Sequence, residues 1–146
     1  MIDVQFPAPR FRIRSNEDKD YIFDEIRRTW ILLTEEEWVR QNFIRYLVET
    51  MQYPATLIAL EKEIRLHDIR KRFDILVYDR QHAPWMLVEC KEPAVRLNED
   101  VLQQVLRYNI SVPVTYIVIT NGSVTKAWKK QQNELVQLAT LPSAPA

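Results

Sequence analysis

Residues 72–93 read RFDILVYDRQHAPWMLVECKEP. Two apolar runs flank a short polar break, and each run has charge set into it. The break, RQHAP, is short enough to close a β-hairpin. In a strand, residues two apart point to the same face. Glu89 and Lys91 therefore share a face with Leu87 and Trp85, while Met86, Val88 and Cys90 point the other way. Asp74 lies between Phe73 and Ile75 and shares its face with Leu76 and Tyr78. Pairing of the two strands brings Asp74 beside Glu89 near the strand ends. Two carboxylates and an ammonium at one spot are costly to bury unless paired or bound to metal. Mg²⁺ answers that cost, because it takes one or two carboxylates together with waters and phosphate. Such an ion polarises a phosphate oxygen and acidifies its bound water. A nearby Lys positions the attacking water and offsets charge on the phosphate. Glu-x-Lys alone reads as a surface salt bridge; Asp74 inside the preceding apolar run moves the reading toward phosphodiester hydrolysis.

Outward from this hairpin, TEEEWVRQNFIRYLVETM is a helix whose start is marked by the capping-box pair Thr34 and Glu37. Its apolar stripe is Phe43, Ile44, Leu47, Val48 and Met51. Continued backward, the stripe passes through Arg40 and between Glu36 and Glu37, so the inward face turns charged at the first turn. ATLIALEKEIRL reads as a strand ahead of the hairpin. NEDVLQQVLRYN reads as a helix starting near Asn98. On it, Val101, Gln104, Val105 and Tyr108 fall on one face, which places Gln104 in a buried stripe and lets Gln104 and Tyr108 reach one target as i, i+4 neighbours. VTYIVIT, the turn NGS and VTKAWKKQ form a second hairpin. Residues 1–20 form an N-terminal arm in which RFRIR is a short edge strand, and DYIFDEIRRTWILL is ambiguous between strand and helix. The proline-rich end, residues 139–146, is expected to fray. The order helix, three strands, helix, two strands predicts one domain over 1–146, a mixed sheet with helices packed on it.

Composition narrows the function classes. The chain has 20 basic and 20 acidic residues and zero formal net charge, so no global field draws it to nucleic acid or membrane. Polyanion binding has to come from local patches, with Arg70-Lys71-Arg72 and Lys126, Lys129 and Lys130 as candidates against a plain solvated surface. The one cysteine, Cys90, excludes an intrachain disulfide and a cysteine-cage zinc site and reads as a small buried hydrophobe. The single glycine, Gly122, excludes a glycine-rich phosphate loop. No run approaches a membrane span, and a cytoplasmic setting is the default expectation. His67 and His82 read as surface residues and Trp85 as core.

Asp74, then Glu89-Cys90-Lys91, then QVLRY resembles the PD-(D/E)xK nuclease superfamily. Within it, LTEEEWVRQNFIRYLVE, RFDILVYD, LVECKEP and QVLRYN…TNG look like the N-terminal nuclease domain of type I restriction enzyme R subunits, and are more similar still to short stand-alone bacterial proteins carrying only that domain. The resemblance implies an α/β restriction-endonuclease-like fold, a central mixed β-sheet flanked by α-helices. It implies a Mg²⁺-dependent deoxyribonuclease, with Mn²⁺ as a substitute ion. Asp74 and Glu89 match the metal-binding acids, Lys91 the catalytic lysine, and Gln104 and Tyr108 the Gln-x-x-x-Tyr motif that helps hold DNA or the metal site. An additional acid on the first helix often joins such sites; Glu36 and Glu37 both qualify, with Glu37 also explained by the capping box. Arg40 is a candidate to pair with a site acid or to contact phosphate. The motif proline is replaced by Phe73. The translocation motor of a full R subunit is absent here, so cleavage is expected to be uncoupled or supplied with a restriction-system or motor partner; a homodimer is a further expectation. The alternative is a non-cutting module that keeps the nuclease fold and binds nucleic acid or a partner.

Overall fold

A computed structural model describes residues 2–8 and 10–146. The 72–93 stretch is at the heart of it. Its runs become β5 (Ile69–Tyr78) and β6 (Pro84–Cys90), antiparallel, with Ile75 opposite Val88 and Leu76 opposite Leu87. Asp79 closes the turn by accepting from the Gln81 and Ala83 amides. Four more strands and two helices complete the body: β4 (Ile58–Leu66), β7 (Tyr116–Thr120), β8 (Thr125–Gln131), β9 (Glu134–Leu138), α1 (Glu35–Arg45) and α2 (Glu99–Asn109). The sheet order is β4-β5-β6-β7-β8-β9. Only β6 and β7 run parallel, with α2 as their crossover; every other pairing is antiparallel. This is the expected α/β architecture with a central mixed sheet.

Alternation in β5 and β6 sends side chains to two cores, which explains why both strands read as continuously apolar. On one face Val39 and Phe43 of α1, with Leu47 of the turn that continues it, pack on Ile75, Val77, Met86 and Val88. On the other, Leu102, Val105 and Leu106 of α2 pack on Leu76, Leu87 and Ile117. Both predicted helix starts hold: Thr34 Oγ1 accepts from the Glu37 amide and Asn98 Oδ1 from the Val101 amide. α1 continues as a π-helical turn over Tyr46–Thr50. Gly122 lies in the β7–β8 turn at φ 91°, and a Cβ there would meet Val39 Cγ2 at 3.3 Å. The one glycine is spent where a left-handed turn touches α1.

Several expectations need correcting. The ambiguous 20–33 stretch is a hairpin, β2 (Lys19–Asp24) and β3 (Thr29–Leu32), and RFRIR contributes the edge strand β1 (Ile13–Asn16). Together they make a separate three-stranded sheet rather than an arm ending at residue 20. The hairpin escaped notice because the turn Glu25–Arg28 carries no Gly, Pro or Asn. β9 was also unforeseen; it follows Gln132 and Asn133, both at positive φ, which form the turn. The tail expected to fray is instead held: Leu141 and Pro145 are buried, and Tyr53 Oη donates to the Pro142 carbonyl at 2.6 Å. Trp85 is core as expected, but it leaves the face of Glu89 and packs edge-on to Tyr116 in the α1-side cluster.

Asp24 joins the small sheet to α1. It is fully buried and accepts from the Ile26 and Arg27 amides, Arg27 Nε at 2.7 Å and Gln41 Nε2 at 2.9 Å. Its removal would strand an arginine and a buried amide. Asp24→Ala is expected to lower unfolding free energy by about 2–4 kcal/mol, measured as a shift in the urea midpoint with an unchanged slope.

Candidate active site

The register of β5 and β6 places Asp74 one step beyond the Ile75–Val88 pair, across from Glu89. Asp74 Oδ2 accepts from the Cys90 amide at 2.8 Å, a bond that fixes the carboxylate against the start of the Glu89–Lys91 segment. Lys91 follows as β6 ends, its amide held by the Thr120 carbonyl of β7 at 2.8 Å. The three residues singled out in the sequence therefore converge at one end of the central strands.

A third carboxylate joins them. Leu60 pairs with Ile75 and Lys62 with Phe73, so Glu61 of β4 stands across from Asp74, at a point where the ladder between the strands is interrupted. Glu61, Asp74 and Glu89 thus occupy one row across three adjacent strands. Like charges directly opposed in a sheet repel, and α1 supplies the answer. Arg40 Nη1 donates to Glu61 Oε1 at 2.6 Å and stands 3.9 Å from Asp74 Oδ1, while its Nε and Nη2 donate to Glu37. Burial pulls the Arg40 pKa down, but the hydrogen bonds and charges of Glu37 and Glu61 outweigh it and raise it.

Two open clefts flank this row. One, of about 520 Å³, is lined by Glu36, Glu37, Arg40, Glu61 and Glu92. The other, of about 300 Å³, is lined by Glu89, Lys91, Val101, Gln104, Tyr108 and Asn109. Gln104 and Tyr108 therefore do share a wall with Glu89 and Lys91, as their spacing suggested. Gln104 is not part of the buried stripe, however. The core face of α2 is Leu102, Val105, Leu106 and Asn109, and Gln104 and the half-exposed Tyr108 lie on the adjoining face. Two overlapping stripes fit the same apolar spacing, and packing selects between them.

Of the two acids at the start of α1, the structure separates the roles the sequence left open. Glu37 is buried and takes donors from Arg40 and Gln41, with Arg27 at 3.5 Å. Burial raises its carboxyl pKa, but those hydrogen bonds and charges win and hold it below the usual value. Glu36 is exposed, and burial, then Asp74, push its carboxyl upward against the pull of Arg40 and Lys91. It is the first-helix acid that feels the row. Glu61 and Asn109 were missed. Asn109 is fully buried, donates to the Val105 carbonyl and has an Oδ1 with no protein partner. Nothing in the segment Glu61-Lys62-Glu63 distinguishes its first acid from the third.

Burial and the charge of Asp74 push Glu89 up to about 8 against the pull of Lys91, with Glu36 and Glu61 adding to the rise. Asp74 is also raised, by burial first, with the Cys90 amide, Arg40 and Lys91 opposing. Burial likewise lifts the Cys90 thiol well above its usual range, in keeping with an inert core side chain. Among the described residues no group of three or more His, Cys, Asp or Glu side chains forms a ready metal cage. Asp74 and Glu89 remain a two-carboxylate set, which suits a cation that keeps water and substrate oxygens. Neither Glu89 nor Lys91 has a side-chain salt bridge among the described residues. The candidate basic patches are partly spent inside the fold. Lys71 donates to the Tyr108 carbonyl at the end of α2 and Lys130 to the Val112 carbonyl in the loop beyond it, so two of the predicted polyanion contacts are engaged by the backbone.

The Glu89 shift has a signed consequence. The folded state keeps a proton that the unfolded chain releases near 4.5, so stability present below that pH is lost as pH climbs to about 8. In metal-free buffer, Glu89→Gln should be more stable than the parent at pH 8 by a few kcal/mol, on the order of 1.4 per pKa unit, with the gap closing toward pH 4.5. Urea midpoints across that range test this; a gap independent of pH would mean Glu89 is not the buried proton holder. Asp74 and Glu36, shifted the same way, leave a smaller slope in the variant.

A family model described as the type I restriction enzyme R protein N terminus matches residues 35–142. No curated protein matches the chain. The matched span begins with the first residue of α1 and contains every carboxylate, side-chain amide and cation that lines the two clefts. Among the described residues no helix is long and apolar enough to cross a membrane.

Proposed function

The chain belongs to the type I restriction enzyme R protein N-terminal family, a restriction-type, nuclease-related domain, and on that premise we propose that it is a Mg²⁺-dependent deoxyribonuclease acting at the cleft between β6 and α2. The observation that carries this reading is Asp74 set across from Glu89 beside a Lys91 that forms no ion pair among the described residues. The surplus of acid there, felt as the rise of Glu89 to about 8, is what a divalent cation would relieve.

Asp74 and Glu89 would hold the cation, Mg²⁺ or Mn²⁺. When bound, it supplies polarisation of a phosphate oxygen and a more acidic water. The Cys90 amide occupies Asp74 Oδ2, which leaves Oδ1 as the free ligand atom. The Lys91 ammonium orients the attacking water and offsets charge gathering on the phosphate. Gln104 and Tyr108, one turn apart on α2, hold the DNA backbone along the same wall. Glu36 adds an acid from the facing cleft, and Arg40 acts on the acids rather than on phosphate. A motor-bearing restriction subunit in the cytoplasm is the partner this reading implies.

A second reading, the non-cutting module, draws on one observation. Arg40 already stands 3.9 Å from Asp74, where a guanidinium can serve as the counter-ion that a metal would otherwise provide.

Cleavage of linear, nicked and single-stranded DNA by the purified protein with Mg²⁺ separates the two. Glu89→Ala and Lys91→Ala are each expected to lower the rate by at least ~100-fold. Full activity in both variants would sink the assignment. A wild-type chain that neither cuts DNA nor takes up Mn²⁺ in calorimetry would establish the module.

A further inference from the structure

Nine non-glycine residues among those described have positive φ, and eight of them lie in turns or loops. Glu61, at φ 52°, is the exception, since it lies inside β4. A left-handed residue within a strand is strained and persists only where its surroundings hold it there. The irregular position is the one across from Asp74, where the β4–β5 ladder lapses and resumes at Lys62–Phe73.

The side chain that emerges from this kink meets Arg40, each of whose three guanidinium nitrogens donates to a carboxylate. Nε and Nη2 are taken by Glu37. Nη1 lies 2.6 Å from Glu61 Oε1 and 3.9 Å from Asp74 Oδ1, so the guanidinium is drawn toward the first acid. A charge-assisted hydrogen bond lies near 2.7–2.9 Å, so Nη1 is hydrogen-bonded to the first and only within ion-pair distance of the second. Glu61 is also the better solvated of the two acids, with its side chain 37% exposed against 17% for Asp74. Pairing with Arg40 there leaves the more buried carboxylate without a hydrogen-bonded cation.

We infer that Glu61 is a positioning residue: its carboxylate, aimed by the left-handed backbone, draws Arg40 off Asp74 and keeps Asp74 Oδ1 open to a divalent cation. The inference rests on the reading of Asp74 as a cation ligand. Glu61 itself touches neither cation nor substrate.

Two variants and two measurements test it. Glu61→Gln removes the charge at constant size, and Glu61→Gly removes the side chain while suiting the left-handed backbone. In metal-free crystals of either, Arg40 Nη1 should close on Asp74 to hydrogen-bond distance; a guanidinium still held away overturns the inference whether or not the protein binds metal. In calorimetry, Mn²⁺ affinity should fall about tenfold in both variants, and the loss should vanish when Arg40→Gln is added, because no guanidinium is left to divert. Glu37 keeps Arg27 and Gln41 in that background. An equal loss with and without Arg40 would mean that Glu61 acts by its own charge, and the inference fails. A wild-type chain without Mn²⁺ uptake, in which Arg40 nevertheless moves as expected, would instead overturn Asp74 as the cation ligand and leave the diversion of Arg40 standing.

Discussion

Three carboxylates in one row across adjacent strands are the constraint around which the N-terminal half of this fold is arranged. Like charges on neighbouring strands repel, and burial adds the cost of taking each carboxylate out of water. The protein meets this with a single guanidinium, and that guanidinium must be held from behind. Glu37 grips two of its nitrogens, Arg27 and Gln41 brace Glu37, and Asp24 braces both of those in turn. The small sheet, the first turn of α1 and the row on the large sheet are thus one alternating chain of charges. Packing of Val39, Phe43 and Leu47 sets the helix at the height where Arg40 can reach.

The far side of the row is built differently. Glu89 and Lys91 line a cleft walled by α2, and among the described residues neither forms a salt bridge. The helix that forms the wall is anchored by its end. Lys71 of β5 donates to the Tyr108 carbonyl in the last turn of α2, where the helix dipole favours cations, and Lys130 of β8 donates to the Val112 carbonyl in the bend that follows the helix. One side of the site is therefore internally compensated, while the other has no such ion pairs among the described residues.

The sequence made the hairpin and its charges legible because strand alternation has period two, and a carboxylate within an apolar run stands out against it. Helix starts at Thr34 and Asn98 were equally plain, since capping side chains act on neighbours two or three residues away. Gln104 was misplaced because α2 presents two adjoining faces with near-equal spacing, and only contact with the sheet decides which is buried. The Lys71 and Lys130 side chains looked like surface charge until the folded chain put backbone carbonyls in their reach. Glu61 was invisible for a deeper reason. Its distinction is a backbone angle, imposed by strands and a helix 13 to 21 residues away in the sequence, and no residue type announces it. Asp24 was lost with its turn, whose residues lack the usual turn formers.

The Asp24 link has a consequence for how the molecule is delimited. The family match opens at Glu35, yet Asp24 and Arg27 reach past that point to Gln41 and Glu37. The segment shared with relatives and the segment that folds as one piece are of different lengths. Cutting at the homology border would leave buried polar groups on α1 facing water, loosening the very helix that disciplines the acids. Kinship, in this chain, marks out the chemistry and falls short of the scaffold that makes it tolerable.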